Sequence, residues 1–304
     1  MRFAPTEQQE QFASNIASIL EKECSSEALQ LAGEESSGGI DGLWETLSET
    51  GLMGIAIPEE FGGLGMGSSD LVFILEELGR AACPEPVAEH AAVAAPLITR
   101  WAQNEMAREI LEESVTGSRK LTVGSPIDTR VVSVEKSDLI LLSKGNELHA
   151  VPTKEIIHTP MTSIDPRYKT GTIEWSPNPK TLISEEPEAV EDMTNRGALS
   201  SAAQAVGVAQ KLLEMTVSYV SERKQFGKPV GTNQAVKHHC SDMAIAIEFA
   251  RPLVQVASWA IDHERSPTEN FTVPGEVSAA KALASEAVEL ACRSALQCHG
   301  AIGY

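Results

Sequence analysis

The stretch with most chemical promise is Arg223-Lys-Gln-Phe-Gly-Lys-Pro-Val-Gly-Thr-Asn-Gln-Ala-Val236. Its residue types end one helix at a basic side chain, turn through Phe226-Gly227 and begin another helix near Asn233-Gln234. Such a corner offers a guanidinium for bidentate contact with a pyrophosphate, an aromatic face, and amides at a helix N-terminus. The plain alternative is a helix hairpin whose Phe226 caps a core. A second stretch, Gln297-Cys-His-Gly-Ala-Ile-Gly-Tyr304, passes from a helix to small residues that permit close backbone approach to a ligand. Taken alone, it reads equally well as a glycine helix cap.

Other motifs carry less. Gly63-Leu-Gly65-Met-Gly67 has Ser68 where a dinucleotide-binding turn needs its third glycine, and no good strand precedes it. Although Glu85 stands about 20 residues on, the loop reads as a tight connection between helices. His238 and His239 are adjacent, so on a helix they diverge by about 100° and cannot share one ion. Glu155-x-x-His158 lies in a β-rich stretch and has no second copy, so no metal ligands are expected. There is no Gly-x-Ser-x-Gly elbow for an acyl-transfer serine. The pairs Glu59-Glu60, Glu76-Glu77 and Glu185-Glu186 are most simply solvated surface charge.

Composition narrows the field further. The 304 residues amount to about two average domains or one large composite fold. A net charge of −19 repels phosphate backbones and anionic leaflets, which argues against nucleic-acid and membrane partners. The hydrophobic fraction of 42% can supply a core, and aromatics at 5% favour Ala- and Leu-rich helices over a sandwich. Cys24, Cys83, Cys240, Cys292 and Cys298 are scattered and form no C-x-x-C, as expected in the reduced cytosol. The N-terminus turns polar at once, and no apolar run approaches the ~20 residues of a membrane span. A cytoplasmic chain is expected.

These residues need elements to position them. Thr6 and Gln9 make a capping box, followed by an apolar stripe at Phe12, Ile16, Ile19 and Leu20. Residues 26–40 read as a polar, Gly-rich loop, Leu43 to Thr50 as a short helix ended by Gly51, and Asp70 to Leu78 as a helix closed by Gly79. Val87 to Ala102 follows, broken or kinked by Pro96, and then Ala107 to Ser114. From about residue 119 the texture becomes β, in short apolar runs at 131–134, 139–142, 147–151, 155–158 and 170–175. Long helices then return at Met193 to Arg223, Gln234 to His263 (with Pro252 as a kink) and Pro274 to Cys298. The expected fold is mostly α with a reduced β domain, in α–β–α order. Residues 1–118 form an N-terminal helical domain, 119–186 a shortened middle β domain and 187–304 a C-terminal helical bundle.

Together these stretches resemble the acyl-CoA dehydrogenase family. The combination is Arg-x-x-Phe-Gly, then Asn-Gln-Ala-Val, and about 60 residues later Gln-x-x-Gly-x-x-Gly-Tyr. Trp44-x-x-Leu47, Gly51-Leu-Met-Gly, Ile57-Pro-Glu-Glu-Phe-Gly-Gly-Leu-Gly and Leu75-Glu-Glu-Leu-Gly-Arg-Ala are similar to its N-terminal domain. The resemblance covers both helical thirds well and the middle poorly. It implies FAD lying between a β domain and a neighbouring subunit's bundle, with a base taking a proton from Cα of an acyl-CoA while a hydride leaves Cβ. By position, Arg223, Gln225, Phe226, Val230, Asn233 and Gln234 match contacts to the FAD diphosphate and adenine side of an adjacent subunit. Gln297, Gly300 and Ala301 match a second set, Ala301 standing where a glycine is usual.

The departures shape the expected role. Only about 70 residues are available for the β domain, implying few strands. The family's flavin-side Thr-Glu-Pro and Gly-Ser-Asp elements are absent, Leu121-Thr-Val-Gly-Ser-Pro126 being the nearest text, and so is Trp-x-Thr-Asn. The usual base glutamate falls beyond Tyr304. The alternative base position, counted back from Gly207, holds Gly197 and Ala198, with Glu191 and Asp192 the nearest carboxylates. The expectation is therefore a subunit without a catalytic residue, sharing FAD at the interface with a second acyl-CoA dehydrogenase-like chain in an α2β2 heterotetramer. Acyl-CoA is the substrate, a steroid side-chain ester by analogy, and an electron-transfer flavoprotein or similar protein the acceptor. Two other readings stay open: a self-sufficient homotetramer whose chain continues past Tyr304, and a flavin-free scaffold.

Overall fold

A computed structural model describes residues 3–34, 38–102, 105–267 and 270–303. The chain begins with α1 (Glu7–Glu23), α2 (Ser26–Glu34), α3 (Leu43–Glu49) and α4 (Ser68–Arg80). A π-helix, Ala88–Ala94, runs into α5 (Ala95–Trp101), and α6 is Glu105–Val115. The strands are β1 (Leu121–Ser125), β2 (Asp128–Val132), β3 (Leu139–Lys144), β4 (Glu147–Pro152), β5 (Ile157–Met161), β6 (Thr170–Glu174) and β7 (Leu182–Ser184). Then come α7 (Pro187–Glu222), a small hairpin of β8 (Lys224–Gln225) and β9 (Lys228–Pro229), α8 (Gln234–His263) and α9 (Val273–His299).

Local signals explain many boundaries. The Thr6 and Gln9 backbone amides each donate to the other's side chain, at 2.8 and 3.3 Å, so the capping box forms as read. Pro274 sits in the first turn of α9, where Thr272 accepts from the Gly275 amide at 3.3 Å. Gly51 ends the α3 region at φ 81°, and Pro96 falls where the π-helix hands over to α5. Two readings are corrected. Part of the expected 26–40 loop is α2, whose Gly33 would bring a Cβ within 3.0 Å of the Pro166 ring, while residues 35–37 lie outside the described residues. Gly79 does not close α4. It lies inside that helix, where an added Cβ would come within 2.1 Å of the Gln204 carbonyl oxygen.

The chain forms two compact units. One comprises Ser18–Leu71 and Cys83–Ser200. Its sheet has seven strands in the order β5-β6-β2-β1-β3-β4-β7, with β1 and β3 parallel and the other pairs antiparallel. The short segment thus holds more strands than its length implied, because several connections are tight turns such as Lys144-Gly145-Asn146-Glu147. Val131, Val134, Ile140, Leu142, Val151 and Ile173 form a core on one face. The π-helix packs against β1, and Leu139 to Leu142 are all buried, as for a strand covered on both sides.

His90, fully buried in the π-helix, pins that packing. Its Nδ1 accepts the Leu121 amide at 3.1 Å and its Nε2 donates to the Ser114 carbonyl at 3.2 Å, with the Trp44 ring set edge-on at 5.3 Å. This arrangement needs a neutral imidazole, since a protonated Nδ1 would face a donor with a donor. Burial accordingly lowers the pKa from 6.5 to about 4. Between these values the unfolded chain binds a proton that the folded chain refuses, so stability falls as pH drops through that window. The loss should total about 3 kcal/mol. Urea unfolding of wild type and His90→Gln at pH 7 and pH 4.5 should show a steeper acid loss in the wild type; parallel losses would refute the assignment.

The other unit comprises Met1–Ala17, Val72–Ala82 and Ser201–Tyr304. Here the later part of α4 crosses α7, while α8 and α9 pack side by side. Arg251 of α8 donates to Glu76 of α4 at 2.8 Å, to Gln210 of α7 at 3.1 Å and to Glu248 at 2.9 Å, tying three helices by one guanidinium. Among the described residues, α8 is also long and apolar enough by composition to cross a membrane, which the sequence reading did not single out. Six of its eight buried residues, Met243, Ile247, Ala250, Val254, Ala257 and Ile261, recur at spacings of three and four along one stripe, as in an amphipathic packed helix.

Candidate functional site

The corner after α7 is built as its sequence suggests. The Arg223 amide closes the helix on the Tyr219 carbonyl at 2.8 Å, and the Val230 amide returns to the Arg223 carbonyl at 2.8 Å. Between them β8 and β9 pair through Phe226 and Gly227, at φ 50° and 83°. Two successive positive φ values give the tight hairpin turn that glycine favours and phenylalanine tolerates only under constraint. Phe226 is fully exposed, at 101%. The ring caps no core, so the plain hairpin reading fails on its central residue.

The remaining members of the first set lie close by in the chain. Arg223, Gln225, Asn233 and Gln234 are exposed, and Val230 is half-buried in a 3-10 turn, Val230–Thr232. Asn233 occupies the N-cap of α8 with extended backbone, yet its side chain makes no capping hydrogen bond. Asparagine at that position ordinarily caps the first turn. Here the Asn233 side chain and the first backbone N–H groups of α8 are left for a ligand, while the Asn233 backbone N–H donates to the Val230 carbonyl at 3.1 Å. A cleft of about 550 Å³ opens beside the corner, lined by Val217, Val220, Gly231, Val236, Lys237 and Cys240 among others.

The second set stands at the end of α9. Gln297, Gly300 and Ala301 are all exposed. Gly300 takes φ 62° and ψ −140°, a backbone shape essentially confined to glycine, and leads into a 3-10 turn, Gly300–Gly303. Tyr304 lies outside the described residues. Two residues not singled out from sequence bring the sets to one end of the helices. Tyr219, one turn before Arg223, stacks on His299 with ring centroids 4.5 Å apart and planes 19° apart. The signal was available in principle, since Tyr219 is i−4 to Arg223 and His299 stands between Gln297 and Gly300, but nothing in either segment predicts the partner.

The chemistry of this donor set fits an extended dianionic ligand with an aromatic end. It offers one guanidinium, side-chain amides from Gln225, Asn233, Gln234 and Gln297, helix N-terminal amides, and a free aromatic face. Among the described residues no cluster of three or more His, Cys, Asp or Glu side chains could hold a metal. At the positions considered for a base, Gly197 and Ala198 carry no proton acceptor. Glu191 is exposed. Asp192 accepts from Arg196 at 2.8 Å and from the Trp101 indole at 3.0 Å, with Arg100 at 3.9 Å, so its carboxylate is committed to a structural knot.

Comparison with known proteins places these features in context. Sequence profiles of the acyl-CoA dehydrogenase N-terminal and C-terminal domains match residues 6–118 and 188–304. Acyl-CoA dehydrogenase IpdE2 of Mycolicibacterium smegmatis is 29% identical over 300 residues, covering 98% of this chain and 88% of the relative. Among solved structures, a variant of the Tcur3481-Tcur3483 steroid acyl-CoA dehydrogenase superimposes with a TM-score of 0.86 at 26% identity, covering 98% of this chain and 88% of that one. The ChsE4-ChsE5 complex from Mycobacterium tuberculosis does so with a TM-score of 0.87 at 22% identity, covering 100% and 89%.

Proposed function

We propose a supporting role in a shared active site for this chain, which belongs to the acyl-CoA dehydrogenase family. It is one subunit of a heteromeric enzyme that α,β-dehydrogenates an acyl-CoA thioester, and it grips the diphosphate and adenine side of FAD held chiefly by a second acyl-CoA dehydrogenase-like subunit. Arg223 pairs with the diphosphate, with Gln225, Phe226, Val230, Asn233 and Gln234 around the adenine side. Gln297, Gly300 and Ala301 supply the second set. Bound FAD supplies hydride acceptance from Cβ; this chain orients the cofactor and contributes no base.

The observation that carries this reading is the outward-facing corner, with Phe226 fully exposed and the Asn233 cap unused, beside a C-terminal turn held to the same end by the Tyr219–His299 stack. Gly197 and Ala198 at the base position, and the engaged Asp192, support a non-catalytic chain. Similarity to a steroid acyl-CoA dehydrogenase built from two named gene products favours an α2β2 assembly acting on a bulky steroid side-chain ester, with an electron-transfer flavoprotein or similar acceptor.

Co-expression tests this. With a longer family member carrying Thr-Glu-Pro and a base glutamate, the chain should copurify as a yellow complex with one flavin per unlike pair, active on an acyl-CoA. The chain alone should be colourless and inactive. A chain that is yellow and turns over acyl-CoA by itself would overturn the proposal in favour of a self-sufficient enzyme, and a colourless complex would leave a scaffold.

A further inference from the structure

We propose that the groove between the end of α7 and the first turns of α8 binds a linear fatty carboxylate, at a site separate from the cofactor corner. The groove has a volume of about 550 Å³, as small-molecule clefts do, and all of its lining belongs to one compact unit. Val217 and Ser221, on its α7 side, each stand two residues from Tyr219. At about 100° per residue they lie about 160° around the helix from the ring that stacks on His299, so the groove opens on the other side of α7.

Its walls are apolar and its frame is tight. Val217 is 44% exposed, Val236 is half-buried and Val220 is buried. The 3-10 turn Val230–Thr232 lies directly against α7, since a Cβ on Gly231 would come within 2.9 Å of the Val220 carbonyl oxygen. No side chain fits between the two.

The polar groups are few, and two of them are already engaged. The Ser221 hydroxyl donates to the Val217 carbonyl at 2.6 Å and the Thr232 hydroxyl to the Pro229 carbonyl at 2.7 Å. What remains stands on α8. The Lys237 ammonium has no carboxylate within 4.0 Å among the described residues, and the Ser241 hydroxyl, one turn on, makes no hydrogen bond among them. Residues four apart on a helix are neighbours, so a carboxylate can give one oxygen to the ammonium and the other to the hydroxyl. Its alkyl chain then covers the three valines. A purine would need matched donors and acceptors along its edge, and a polyphosphate more than one cation; this lining supplies neither.

Calorimetric titration of decanoate into the full chain tests this. Decanol, which lacks the charge, should bind roughly tenfold more weakly, and so should decanoate to Lys237→Gln. Hexanoate, shorter by four methylenes, should lose roughly tenfold or more. Lys228→Gln removes the same charge from the other face of the hairpin, since Lys228 pairs with Gln225 and precedes Pro229, and should stay within roughly twofold of wild type. Both lysines are exposed, so neither variant disturbs a packed core. Cys240, a partly buried thiol in the same lining, reports the position: decanoate should slow its alkylation by iodoacetamide several-fold and leave the exposed Cys292 unaffected. Equal binding of decanol, undiminished binding to Lys237→Gln, or an unprotected Cys240 would overturn the proposal. So would an assembled complex in which Cys240 is shielded without decanoate, because the groove would then be a contact between subunits. None of these readouts involves flavin, so the result is independent of the cofactor reading.

Discussion

Replacing Arg223 with alanine should strip flavin from the assembled complex while leaving this chain folded. Arg223 is exposed, and its backbone bonds, to the Tyr219 carbonyl and from the Val230 amide, survive any side-chain change. What the substitution removes is a guanidinium aimed at solvent in the isolated chain. Charge-assisted, bidentate contacts to a pyrophosphate contribute about 1.5–3 kcal/mol, so FAD affinity should fall roughly 10- to 100-fold. Arg223→Lys should recover only part of this, because an ammonium is a point charge without the planar fork. Isothermal titration of FAD into apo-complex measures both, and a higher salt dependence in the wild type than in Arg223→Ala should accompany the loss. Arg251→Ala is the contrasting control: its guanidinium faces Glu76, Gln210 and Glu248 inside the helical unit, so it should lower stability with little effect on flavin in the protein that remains folded. Unchanged FAD affinity in Arg223→Ala would remove the corner from the site.

Much of this architecture is written locally. The Thr6–Gln9 box, Thr272 with Pro274, and Gly51 each act within one helical turn, so residue type and spacing determine them directly. Where a residue serves a distant partner, the local rule misleads. Gly33 looks like loop composition, yet it lets α2 approach Pro166. Gly79 looks like a helix stop, yet it admits the backbone of α7. His90 carries no motif at all, since its partners are backbone groups at Ser114 and Leu121. The candidate site shows the same division. Each segment announces its own turn, but only the stacking of Tyr219 on His299 reveals that the two face one end of the helices. The exposure of Phe226 was equally invisible, because an aromatic at a helix corner is as easily a core residue as a ligand face.

Gly207→Ala should be among the most destabilising single-methyl additions in this chain. At the crossing of α4 and α7, a Cβ on Gly207 would stand 1.9 Å from the Glu76 carbonyl oxygen and 2.8 Å from the Arg80 amide nitrogen. Both obstacles are backbone, so no side-chain rotation relieves them, and the helices must separate. That separation would also pull Glu76 from Arg251 and Arg80 from Glu214, bonds of 2.8 Å each that span the same crossing. Overpacking alone costs about 1–3 kcal/mol, and loosening these charged contacts adds to it, so a loss of about 3 kcal/mol or more is expected. Gly197, ten residues earlier on the same helix, provides the internal comparison. A Cβ there meets nothing within 4 Å, so Gly197→Ala should gain about 0.5–1 kcal/mol from helix propensity and a less flexible unfolded chain. Denaturant midpoints of the two variants should therefore move in opposite directions from the wild type. A Gly207→Ala midpoint within error of wild type would mean that α4 and α7 do not cross backbone to backbone at this point.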